Sequence, residues 1–154
     1  MVAGASLHWM EWAVVLPQLS QLLTPHGLLA IMDDRQVVAW QERLLEVLAA
    51  YSINSTFRPG YDWIAQLAHE GLFRKTGTLS TEAGAYRQSV TDYVESFHAR
   101  QSLARERLGG ARAAEFDAKV RQIVAPYVDT EDQLTLETIA YLTWGKPVAP
   151  AGSG

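Results

Sequence analysis

The sequence predicts an α/β fold whose sheet is parallel and finishes in an antiparallel strand. Three observations carry this. LLAIM (28–32) is a continuous apolar run of strand length directly after a Pro–Gly stop, the pattern of a parallel strand buried on both faces. The segments before and after it carry apolar residues three and four apart, the helical spacing. QLTLETIAYLTW (133–144) instead alternates, as a half-buried antiparallel strand does.

Taken in order, residues 2–7 are small and apolar and read as the end of a buried strand. Trp12, Val15, Leu16, Leu19, Leu22 and Leu23 stripe one face of a helix in which Pro17 makes a kink or lies in the first turn. TPHG stops it, with Gly27 free to take positive φ. After the LLAIM strand, Val37, Trp40, Leu44, Leu48 and Tyr51 predict a helix over 35–51, and FRPG (57–60) a turn. Asp62 caps a helix through WIAQLAHE that ends near Gly71, and LFRKTGTLS follows as a strand. Val90, Tyr93, Val94 and Phe97 mark a helix led in by Ser89 or Thr91. ARQSLARERLGGAR, broken by Gly109 and Gly110, reads as a surface loop or frayed helix. A helix resumes with Phe116, Val120, Ile123, Val124 and Tyr127. In the final strand Leu134, Leu136, Ala140, Leu142 and Trp144 share one face, and 148–154 is a disordered Pro/Gly-rich tail. There is no internal repeat and no linker, so 1–147 reads as one domain.

With 154 residues the chain can bury a real core. A net charge of -4 gives no electrostatic reason to expect nucleic acid or an anionic membrane. The chain has no cysteine, which excludes disulfides, thiolate metal sites and a cysteine nucleophile and fits a cytoplasmic protein. No apolar run reaches the ~18–20 residues of a membrane helix, and the start lacks the basic region of a signal peptide. MVAGASL, apolar from its second residue, reads as the interior of a domain.

The stretch VAGASLHWMEWAVVLPQLSQLLTPHGLLAIMDD resembles the fourth-to-fifth-strand region of class I S-adenosylmethionine-dependent methyltransferases, of the type 11 and ubiquinone-biosynthesis-like kind. Leu7, His8 and Trp9 after a small-residue strand, the LLTPHG turn and the LLAIM strand carry the likeness. GLFRKTGTLS, SVTDYVESFHAR and TLETIAYLTWGKP are similar to the family's sixth strand, an inserted helix and its seventh strand. The resemblance implies a Rossmann-like sheet of order 3-2-1-4-5-7-6 with the seventh strand antiparallel, of which this chain supplies 4-5-7-6. It implies methyl transfer from S-adenosylmethionine to a small-molecule acceptor, with cofactor contacts at Ala3, Gly4, Ala5, His8 and Trp9. The acceptor side would come from 35–51, 61–71 and 80–100. The family's glycine-rich turn and ribose-binding acidic residue have no counterpart, since no G-x-G-x-G occurs. The fourth strand would then be a sheet edge beside an exposed apolar patch, so that the chain alone is marginally stable or self-associates, and is inactive. The alternative is a non-catalytic remnant or interaction module pairing through that edge.

Other residues have simpler readings. His8 suits a general base but reads first as a hydrogen-bonded structural histidine. Asp33 and Asp34 could share a proton or hold a cation, but the helix predicted from 35 makes them its N-cap. His26, His69 and His98 have no partner at metal-ligand spacing, so no metal is expected. Arg100, Arg105, Arg107 and Arg112 could bind an anion, yet Glu106 and Glu115 among them suggest a solvated surface. The tryptophans at 9, 12, 40, 63 and 144 fall on buried stripes. No G-x-S-x-G elbow supports a hydrolase.

Overall fold

The computed structural model of the chain describes residues 1–4, 6–53 and 61–148, except the Trp9 side chain. The FRPG turn, Ala5 and the tail from residue 149 on lie outside the described residues. The fold is mixed α/β with an open five-stranded sheet, consistent with a partial Rossmann-like fold. Its strands are β1 (Val2–Gly4), β2 (Leu29–Val37), β3 (Phe73–Ser80), β4 (Gly84–Ser89) and β5 (Gln133–Pro147). The order is β1-β2-β5-β3, with β4 also on β5. β1 and β2 are parallel, Val2 opposite Ala30, and β3 and β5 antiparallel, Phe73 opposite Pro147. In chain order this is the 4-5-7-6 arrangement that the resemblance implies.

The chain divides into two compact units. The first comprises Met1–Arg35, Tyr61–Gly84 and Ile139–Gly154. Its helices are α1 (Trp12–Leu22) and α3 (Trp63–His69). Its core joins Leu16 and Leu67 from these helices to Leu7, Leu29, Ile31, Leu72 and Phe73. Alternation along β2 sends Leu29 and Ile31 inward and leaves Met32 49% exposed, while Val2 beside it on β1 is 65% exposed. The strand is therefore buried on one face, not two. The apolar run records a pleat with an apolar residue on each side, and only one side meets a helix layer.

Local chemistry sets the limits of these elements. The Asp62 carboxylate accepts from the Ala65 N–H at 2.9 Å and caps α3. At its other end Gly71 takes φ +71, the Leu72 N–H donates to Leu67 at 3.0 Å and the Gly71 N–H to Ala68 at 3.1 Å. These are the two bonds of a Schellman stop, sealed by Leu67 and Leu72 in one core. Pro17 lies inside α1, not in its first turn. Gly27 lacks the predicted positive φ; its N–H closes a turn on the Thr24 carbonyl at 2.8 Å, where a side chain would crowd Leu23 and Thr24.

The second unit comprises Gln36–Gly60 and Ala85–Thr138. It holds α2 (Gln41–Tyr51), α4 (Val90–His98), α5 (Arg105–Leu108) and α6 (Gly110–Val124). Trp40, Leu44, Leu48, Tyr93, Val94, Phe97, Phe116, Val120, Leu134 and Leu136 lie in one core. Buried Tyr93 accepts the Trp40 indole N–H at 3.0 Å, and its hydroxyl titrates above its ordinary range because burial disfavours the phenolate. Ser89 caps α4, accepting from the Asp92 N–H at 3.0 Å and donating to its carboxylate at 2.8 Å. The Arg-rich stretch forms a short 3-10 turn (Gln101–Leu103), α5 and the start of α6, with Gly109 at φ +79 between the two helices.

Three further expectations are corrected. The helix predicted over 35–51 begins at Gln41, because β2 runs on through Asp33–Val37. β4 appears where no strand was predicted. The buried face of β5 changes phase: Leu134 and Leu136 are buried at one end and Thr143, Gly145 and Pro147 at the other, with Ala140 exposed. Leu134 and Leu136 belong to the second unit, and 143–147 to the first, so each half of the strand packs for its own core.

Candidate functional site at the carboxyl end of β1

In open α/β sheets ligands bind outside the carboxyl ends of the parallel strands. In the first unit β1 ends at Gly4. Among the described residues, its chain neighbours apart, a Cβ there would meet no atom within 4 Å, so none of them packs tightly on this glycine. Ala3, one residue earlier, turns its side chain into the core, so only its main chain is available. The chain then enters a 3-10 turn, Leu7–Trp9, fixed from below by buried Leu7. The Trp12 indole N–H donates to the Leu7 carbonyl at 3.0 Å, tying that turn to the start of α1.

The half-buried His8 ring lies 5.9 Å from the Trp63 ring, tilted by 50°. Trp63 in turn stacks on Trp12 at 6.2 Å and 27°. His8, Trp63 and Trp12 form a continuous series of aromatic rings, and His8 follows the last residue of β1 by four positions. Of the five residues that the resemblance singles out, the described ones are Ala3, Gly4, His8 and the main chain of Trp9, and all lie around this end. Trp63 was not among them. Its place in a helix was legible, but its proximity to His8 is a contact across 55 residues that no spacing encodes.

The next carboxyl end, that of β2, disposes of the capping role of Asp33 and Asp34. Both lie within the strand, and the Asp33 carboxylate accepts from the Asp34 N–H at 2.9 Å, not from a helix. Trp40, six residues beyond Asp34, stands at the N-cap position of α2. Arg35 spreads its guanidinium over the Tyr141 ring at 5.9 Å. In the second unit, the Gln36 amide donates to the Tyr86 hydroxyl at 2.6 Å. Among the described residues no group of three His, Asp or Glu side chains could hold a metal ion, and no helix is long and apolar enough to cross a membrane.

Three of the four arginines of 100–112 act separately. Arg100 lies over the Phe97 ring at 5.2 Å. Arg105 pairs with Glu95 and, at 3.0 Å, with Asp117. Arg112 donates to the Ala50 carbonyl at 2.9 Å and lies over Tyr51. Each of these three is engaged within its own unit, as a solvated and ion-paired surface would have it.

No family model matches the sequence, and no curated protein matches it. Among solved structures the chain is similar to the crystal structure of the MccD protein, with a TM-score of 0.37 and 14% identity, over 87% of this chain and 54% of that one. The chain thus spans about half the length of that structure.

Proposed function

We propose that the chain is the carboxyl-terminal part of a class I methyltransferase sheet, and that the open end of β1 is one flank of an S-adenosylmethionine site serving transfer to a small-molecule acceptor. The observation that carries this reading is the strand order β1-β2-β5-β3, with its parallel first pair and antiparallel last pair. The resemblance implies that order, its 4-5 part from residues 2–34 and its 7-6 part from GLFRKTGTLS and TLETIAYLTWGKP.

The residues fit the cofactor in part. The bare backbone at Gly4 admits close approach, and the His8 and Trp63 rings offer an apolar face to a nucleoside thioether. A glycine-rich turn and a ribose-binding carboxylate, which would anchor the ligand, are missing from the sequence. No catalytic step is assigned to the chain. The sulfonium of the cofactor is the electrophile, and a protein's part in such transfers is largely orientation. Calorimetric titration with S-adenosylhomocysteine tests the division between flank and anchor. A Kd weaker than about 1 mM is expected; tighter binding contradicts the missing anchor.

A second reading rests on a separate observation. Val2 and Met32 expose apolar side chains on the uncovered face of the sheet, and Met1, Met10, Val14 and Leu28 are exposed in the same unit. Met1 donates to the Leu28 carbonyl and accepts from Ala30, so by parallel pairing the Val2 and Gly4 backbone groups point away from β2. This edge suits pairing with another chain. Sedimentation of the purified protein over a concentration series reads it out: association is expected, and a monomer throughout opposes it.

A further inference from the structure

His98, at the end of α4, has a side chain only 5% exposed and acceptors on both ring nitrogens. Nδ1 lies 2.8 Å from the Leu103 carbonyl, and Nε2 lies 2.7 Å from an Asp117 carboxylate oxygen. A carbonyl can only accept, and so can an ionised carboxylate. A neutral imidazole has one N–H and can satisfy one of the two; the imidazolium satisfies both. The ring packs edge-on against Phe116 at 5.4 Å, so its orientation is fixed and water has little access.

The other charged groups around this ring have partners of their own. Arg105, from α5, pairs with the second oxygen of Asp117 at 3.0 Å and with Glu95 of α4. Arg100 lies over Phe97, after the end of α4. Arg105 occupies the second Asp117 oxygen, which leaves the first to the His98 ring. What the ring holds is also defined. Leu103 ends the 3-10 turn and is buried, its N–H donates to Arg100 at 3.0 Å, and the Ser102 carbonyl accepts from the Ile53 N–H at 3.1 Å, just past the end of α2.

We propose that His98 is a proton-dependent clasp: the doubly protonated ring ties the 101–103 turn to α6, and loss of its proton releases the turn and, through Ser102, the chain at Ile53. The two acceptors favour the doubly protonated ring, so the clasp holds at lower pH and opens as pH rises. This is independent of the reading proposed for β1.

Native-state hydrogen exchange across about pH 5 to 8 tests this in wild type and in Asp117→Asn. The carboxamide introduced by that substitution donates to the bare Nε2 of a neutral ring, or accepts from the charged one, so the variant closes both bonds in either state. After correction for intrinsic exchange, protection at the Leu103 and Ile53 amides should fall about tenfold or more in wild type as pH rises, and stay flat in the variant. Equal slopes in the two proteins, or a flat wild type, overturn the clasp. Should the variant not fold, the ring nitrogens of wild type give the answer by NMR. Loss of one N–H must coincide with loss of Leu103 protection; a singly protonated ring with protection unchanged overturns it.

Discussion

Gly145 sits in β5 where a Cβ would run into the Arg74 carbonyl oxygen and the Phe73 ring, both across the β3 pairing. Backbone cannot step aside as a side chain can, so Gly145→Ala is expected to destabilise the chain by about 1–3 kcal/mol, read from denaturant melts. Asp132 is the contrasting case. It holds φ +59 in the turn before β5, a conformation that glycine takes freely and β-branched residues resist. Asp132→Gly should leave stability within about 1 kcal/mol, and Asp132→Val should cost about 1–2 kcal/mol. Three residues earlier, Asp129 accepts from the Gln133 N–H at 3.0 Å and the Glu131 N–H at 2.8 Å and pairs with Arg87. The Gln133 bond first, then those to Glu131 and Arg87, hold its carboxyl below the ordinary range. Its contribution is therefore present above the unfolded value of about 3.9 and lost as pH falls through the lower folded one. Asp129→Asn should remove this part of the acid sensitivity, seen as pH-independent amide shifts at Glu131 and Gln133. None of these features was legible in the sequence. Nor was the His98–Asp117 contact, which joins two helices across 19 residues.

Helix ends were the most legible elements, because capping chemistry is local. Asp62, Gly71 and Ser89 do what their residue types and positions imply. Asp62→Ala should cost about 1 kcal/mol, and Gly71→Ala a similar amount for the strained φ, both visible in thermal melts. Pro17 inside α1 leaves the Ala13 carbonyl without its usual donor. Strands were legible where packing imposes a pattern and not elsewhere. β4, GAYRQS, has exposed residues on both faces over most of its length, so no alternation marks it. β2 outruns its apolar segment because its last residues, Asp33 to Val37, are mostly exposed; hydrophobicity reported only the half that packs. That extension is what removed Asp33 and Asp34 from the helix cap. The phase change in β5 was hidden for another reason: Leu142 and Trp144 are apolar and only half-buried, so composition continued an alternation that packing did not. Trp144 is instead laid over Gly77, filling the space a side chain would take.

At the scale of the whole molecule, the order 4-5-7-6 was legible through the resemblance: the residues around Leu7–Trp9 and the 24–32 segment imply its 4-5 part, and GLFRKTGTLS and TLETIAYLTWGKP its 7-6 part. The division into two units was not, since β2 and β5 each run through both and no linker separates them. The uncovered sheet face follows from the same strand order: β1 is an edge, and Val2 and Met32 lie outside the core. The open end of β1 is the central claim, and it is tested most directly by titrating S-adenosylhomocysteine into isotopically labelled protein to about 10 mM while following every assigned amide. The account predicts weak, saturable shifts that cluster at Ala3, Gly4, His8 and the Trp63 indole; shifts spread evenly over the chain, or none at these positions, would contradict it.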